Sequence, residues 1–132
     1  MSSLDAQQLV QAAIEARERA YAKYSTFRVG AALITAERRV FVGCNVENAS
    51  YGLTICAERV AVTNAISAGQ TEFSAIAVAS RGGVTPCGAC RQVLAEFASD
   101  LPVFLADVDD RSNIRELKLS ELLPAAFDFE SQ

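Results

Sequence analysis

Three of the four cysteines lie in two short stretches, TICAERVAVT with Cys56 and TPCGAC with Cys87 and Cys90. One glutamate, Glu58, stands two residues after Cys56, and the chain has no histidine. Cys87 and Cys90 are spaced i, i+3, which points both thiols the same way at the start of a helix. Cys56 sits where a second helix should begin. A helix start offers free N–H groups and the positive end of the dipole, and both stabilise thiolates. Three thiolates converging from two helix starts suit a zinc ion, and three protein ligands leave a fourth position open for water. Glu58 shares a face with Cys56 only if Cys56 is at the helix end, where the backbone turns. From there a long carboxylate reaches back over the metal and handles protons for a bound water. Metal ligation thus falls to thiolates and acid–base work to a carboxylate.

Other readings of the same residues stand beside this one. A lone C-x-x-C is also a redox pair, although that leaves Cys56 without a task. Cys44, at a strand end before a polar loop, offers a fourth thiolate for a closed structural site. Cysteines also serve as small buried hydrophobes.

The elements that must position these residues follow from periodicity. A helix should begin after Ser2 or Ser3 and run to about Tyr21, with Val10, Ile14, Arg17 and Tyr21 spaced by three or four. Residues 27–35 and 40–44 read as two strands joined by a turn at 36–39. NVENASYG is a polar loop. A second helix covers about 56–68 and stops at Gly69. Residues 73–79 form a buried strand, and RGGVTP is a loop. A third helix runs from Cys87 to about Ala98, followed by strands near 102–105 and 114–119 and a helical turn at 120–123. Alternating helices and strands imply βαβ crossovers, and the opening hairpin makes the sheet mixed. The expected architecture is a three-layer α/β/α sandwich with a mixed sheet of about five strands. With 132 residues, one domain spanning 1–132 is expected, and a chain of this size buries a sizeable core without disulfide staples.

Composition narrows the function classes. Apolar residues make up 51% and charged residues 21%, a globular balance. Net charge is −4, and no basic patch for a nucleic-acid polymer is visible. No apolar run reaches a membrane span, and the polar, acidic N-terminus does not read as a secretory signal. A cytoplasmic location is expected, where thiols stay reduced and paired cysteines serve metal sites or catalysis. A small-molecule substrate fits this balance better than DNA or RNA.

The order Cys56-Ala57-Glu58, then Pro86-Cys87-Gly88-Ala89-Cys90, resembles the zinc deaminase signature in its all-cysteine form. YSTFRVGAALI, GCNVENASYG, ICAERVA, PCGACRQVL and ELLPAAF together resemble the small cytidine deaminases that act on free nucleosides. The likeness runs from the first helix to Phe127, in family order. Lys23 departs from it, standing where the family commonly has proline before Tyr-Ser. The resemblance implies a cytidine deaminase-like fold and one zinc ion on Cys56, Cys87 and Cys90. Zinc-bound hydroxide would attack C4, and Glu58 would shuttle protons among the water, N3 and the leaving amine. Phe27 would pack on the pyrimidine, Asn45 and Glu47 would bond the ribose hydroxyls, and Ala57 would line the substrate site. Tyr51 and Phe127 would reach the site of a neighbouring subunit in a homotetramer. The reaction would turn cytidine and deoxycytidine into uridine and deoxyuridine, as in pyrimidine salvage. Three thiolates leave the metal site more negative than a set with a neutral histidine, which opposes deprotonation of the water. By the resemblance, Arg59 would offset that charge by hydrogen-bonding the ligand sulfurs. Blasticidin S deaminases share the cysteine pattern, but the loop CNVENASYG favours a nucleoside. Outside this class, a zinc-stabilised binding domain is the alternative.

Overall fold

The structure is a computed structural model that describes residues 3–129. Its elements are α1 (Ser3–Arg17), β1 (Gly30–Thr35), β2 (Val40–Cys44), α2 (Ala57–Ser67), β3 (Phe73–Ser80), α3 (Gly88–Phe97), β4 (Pro102–Asp107), β5 (Asp110–Lys118) and α4 (Leu119–Leu122), with a 3₁₀ turn at Tyr51–Leu53. The five strands form one sheet in the order β2-β1-β3-β4-β5. The expected mixed sheet is present. Among the described residues only strands β3 and β4 run parallel, joined by α3 in a βαβ crossover, while the other strand pairs are antiparallel.

Period-two alternation divides the core between the two faces of the sheet. Ala31, Leu33, Ile76, Val78, Val103 and Leu105 face α2, α3 and α4, where Ala61, Val62, Leu94 and Leu119 complete one cluster. The opposite face presents Ala32, Ala75, Ala77, Ala79 and Ala106 to Leu9, Val10, Ala13 and Ile14 of α1. Alanines on that face let α1 lie close to the sheet. At Gly30 the approach is closest, because a Cβ there would run into the Ala13 carbonyl. Gly43 does the same for α2: a Cβ would stand 2.5 Å from Ala57 O and Ala61 N.

Element ends differ from the sequence expectations where loop pairing wins. Helix α1 stops at Arg17 rather than near Tyr21. Tyr21 instead pairs with Val46, donating to Asn45 O at 2.9 Å and accepting from Glu47 N at 2.9 Å. Ser3 is already helical, and Ser2, the other candidate cap, lies outside the described residues. Strand β1 begins at Gly30 rather than Phe27, because the Asn45 side chain bonds Val29 N and Phe27 O where a ladder would continue, with one backbone bond from Asn45 N to Val29 O at 3.3 Å. Strand β5 begins at Asp110, four residues before the expected start at 114. Gly69 stops α2 as expected, with φ at +85° and its N–H bonded to Ile66 O at 2.9 Å. No helix among the described residues is long and apolar enough to cross a membrane.

Candidate metal and active site

Cys56 is the N-cap of α2 and Cys87 the N-cap of α3, both in extended backbone. An extended N-cap swings its side chain back over the first turn, where free N–H groups point. Cys87 Sγ accepts from Cys90 N at 3.5 Å. The three Sγ atoms lie within 4.8 Å of one another, with Cys56–Cys87 at 3.8 Å and Cys87–Cys90 at 3.4 Å. Tetrahedral ligation with Zn–S bonds of ~2.3 Å requires sulfurs ~3.8 Å apart, so this donor set fits zinc. Cys44 does not join the group among the described residues, which leaves three thiolates and an open position.

The charges of this cluster are interdependent. Hydrogen bonding from Cys90, reinforced by Arg59 and Cys87, brings the Cys56 thiol down to about 5, against the opposing effect of burial. The same bond, with burial, pushes Cys90 up. Arg59 Nη2 donates to Cys56 Sγ at 3.3 Å. That bond holds the guanidinium charged, and Cys90 adds to the effect. Glu58 is buried, 4% exposed. Burial first, and then the Cys56 charge, raise its carboxyl to about 7. A carboxyl poised there both gives and takes a proton near neutral pH.

Cys56, Glu58 and Cys87 line a cavity of about 250 Å³ together with Phe27, Asn45 and Glu47. Ala57 and Tyr51 also line it; Ala57 is fully buried and Tyr51 is 58% exposed. Asn45 Oδ1 accepts from Val29 N and its Nδ2 donates to Phe27 O, each at 2.9 Å. The amide therefore fixes the segment that presents the Phe27 ring, and one N–H remains for a ligand. Glu47 is buried, and Oε1 accepts from Tyr24 N at 2.9 Å and Ser25 N at 3.0 Å. The Ser25 hydroxyl bonds the other oxygen. Those bonds, led by the Ser25 hydroxyl, hold its carboxyl below the usual range. Phe127 stands apart from this cavity. It is 61% exposed and lines a separate cleft of about 670 Å³ formed with α3, α4 and the C-terminal segment.

Sequence reasoning missed Ser25, Thr85 and Val84, which line the cavity, and Arg91, which holds the loop before Cys87. Ser25 has a faint signal: its Oγ accepts from Phe27 N at 3.0 Å, the local turn that serine favours. Its bond to Glu47 spans 22 residues and leaves no trace in the local pattern.

The class defined by this fold and site is that of proteins holding one metal ion in a three-thiolate cradle beside a protonatable carboxyl. Residues 3–106 match the cytidine and deoxycytidylate deaminase zinc-binding region, and the chain belongs to that family. It is 50% identical over 130 residues to the cytidine deaminase of Halalkalibacterium halodurans, covering 96% of this chain and 97% of that one. The crystal structure of cytidine deaminase from Burkholderia pseudomallei matches with a TM-score of 0.87 at 49% identity, over 96% of this chain and all of that one. That of Mycobacterium tuberculosis matches with a TM-score of 0.81 at 42% identity, over 95% and 98%.

Proposed function

We infer that the protein is a zinc-dependent cytidine deaminase that releases ammonia from cytidine and deoxycytidine to give uridine and deoxyuridine. The observation that carries this reading is a buried Glu58 beside three convergent thiols, at a cavity also lined by Phe27, Asn45 and Glu47. Zinc, when bound, supplies the Lewis acid that makes a water nucleophilic near neutral pH. Glu58 would take a proton from the water and give it to N3 of the base, then take the proton of the hydroxyl added at C4 and give it to the departing amine, ending ionised as it began. The Phe27 ring packs on the pyrimidine, and Ala57 lines the site. The remaining Asn45 N–H and the Glu47 carboxylate bond the ribose. Glu47 is already ionised and pinned by residues 24 and 25, so it accepts a hydroxyl proton without rearranging. Arg59 offsets the charge of three thiolates through its bond to Cys56.

The cavity favours nucleosides over nucleotides. Glu47 and Glu58 both line it and, among the described residues, no lysine or arginine does, so a phosphate would meet carboxylates there. The reading places the enzyme in the cytoplasm, in pyrimidine salvage, as one functional unit over residues 1–132. It also takes the enzyme as a homotetramer in which Phe127, and Tyr51 from the rim of its own cavity, reach a neighbour's site. Their exposure, with that of Leu53 and Phe129 at 67% and 83%, supports assembly, because such apolar groups gain from being covered.

Ultraviolet absorbance of cytidine, deoxycytidine, CMP and blasticidin S, each mixed with zinc-loaded protein, tests the reading. The chromophore should change for the two nucleosides and stay constant for the others. A flat trace for all four marks a binding module, and a faster change with CMP marks a nucleotide deaminase.

A further inference from the structure

We propose that Arg91 is a positioning residue for the metal cradle, a three-pronged clamp that fixes the loop delivering Cys87. The loop between β3 and α3 is held at its first half by strand ends. Gly82 N donates to Asp107 Oδ1 and Val84 N to Ser80 Oγ, both at 3.0 Å. Gly82 and Gly83 there have φ of +84° and +61°, so this half turns where other residues would be strained. The second half, residues 85–87, carries the cavity wall and a metal ligand, and Arg91 holds it. Arg91 Nε donates to Pro86 O at 2.7 Å and Nη2 to Thr85 Oγ1 at 3.0 Å. Nη1 donates to Leu122 O, the last residue of α4, at 2.7 Å. The guanidinium is partly buried, and its planar fork suits three fixed acceptors as an ammonium would not.

The placement matters because Arg91 follows Cys90 directly. One residue therefore links the helix turn that carries Cys90 to the loop that carries Cys87, and sets how far apart the two sulfurs stand. Pro86 lacks an N–H, so its carbonyl is the backbone group through which the residue before Cys87 can be gripped. Through Leu122 the clamp also ties the cradle to the C-terminal segment. Gln92 Nε2 strengthens that tie by donating to Phe127 O at 3.4 Å.

The inference rests on the zinc reading, and its test reads metal retention rather than turnover. Zinc transfer from holoenzyme to a chromogenic chelator is timed for wild type, Arg91→Gln, Arg91→Lys and Thr85→Val. Val10→Ala, a cavity on the opposite face of the sheet, serves as a control for general destabilisation. Hydrogen bonds from a charged group imply that Arg91→Gln releases zinc about ten- to hundredfold faster. Arg91→Lys should fall between the two, and Thr85→Val, which keeps the shape and loses one acceptor, should be a few-fold faster. Val10→Ala should lower the melting temperature and leave release unchanged. If Arg91→Gln does not fold, Thr85→Val and Arg91→Lys decide the matter: wild-type release in both overturns the clamp. Equal acceleration by Val10→Ala overturns it as well. Wild-type protein purified without zinc sinks the metal reading and this inference together. Zinc-bearing wild type with an unaltered Arg91→Gln rate overturns this inference alone.

Discussion

Glu58 is one of few buried polar groups among the described residues, and burial is what lifts its carboxyl to about 7. Glu58→Gln keeps the volume and should keep fold and zinc content. Turnover should fall by ~10²–10⁴-fold or more, since one group serves several proton transfers; activity above a tenth of wild type would end that assignment. Glu47 makes a different prediction. Its carboxyl is held below the ordinary 4.5, so its ionised form stabilises the fold above that value, and the stabilisation is lost as pH falls through the lower folded value. The melting temperature of Glu47→Gln should therefore lie below wild type at pH 7, and the gap should close in acid; a gap that is constant with pH would contradict this. Arg59 is tested by coupling. Arg59→Gln should lower kcat roughly ten- to hundredfold. Cys56→His in that background should restore part of the loss, because an imidazole removes one negative charge, while Cys56→His alone should impair the enzyme. Equal effects in both backgrounds would make Arg59 an ordinary helix residue. The cysteines and Glu58 were legible in the sequence because their spacing matches two helix starts. Arg59 was legible only as a candidate, and Ser25 was not, because Glu47 meets it through a loop whose Thr26 adopts φ of 59°.

Helix α2 reaches its place through Gly43. Any side chain on Gly43 meets the backbone at Ala57 and Ala61, the first turn of the helix that carries Cys56 and Glu58. Gly43→Ala should force α2 outward, costing about 1–3 kcal/mol as overpacking does. Zinc retention should fall with it. Thermal melts and zinc content measured on the same samples check both, and an unchanged melt would show that the helix shifts freely. The elements themselves were largely visible beforehand: β2, α2, β3 and α3 fall within a residue or so of their expected bounds. Those four carry strong apolar periodicity and clear stops. The misplaced ends, at α1, β1 and β5, are those where a long-range bond decides. Tyr21 leaves the helix to pair with Val46, and β5 extends because β4 offers it a ladder. A window along the chain contains neither partner.

The whole molecule places its catalytic cavity and its C-terminal cleft apart, with Phe127 in the second. If Phe127 completes a neighbour's site, two inactive proteins should complement each other. Glu58→Gln and Phe127→Ala, unfolded and reassembled together in equal amounts, should regain up to about a quarter of wild-type activity by random mixing in a closed oligomer. Mixed oligomers that form and stay inactive would refute shared sites. At the far end of the sheet from β2 stands β5, nine residues long and mostly exposed. An edge of that length with its backbone open is a template on which another chain could add a strand and seed fibrils. Asp110, Arg111, Arg115, Glu116 and Lys118 put charge on five of its nine positions. A chain approaching to extend the sheet must strip water from those groups before it gains a single ladder bond. The strand that contributes least to the core thus guards the fold against aggregation.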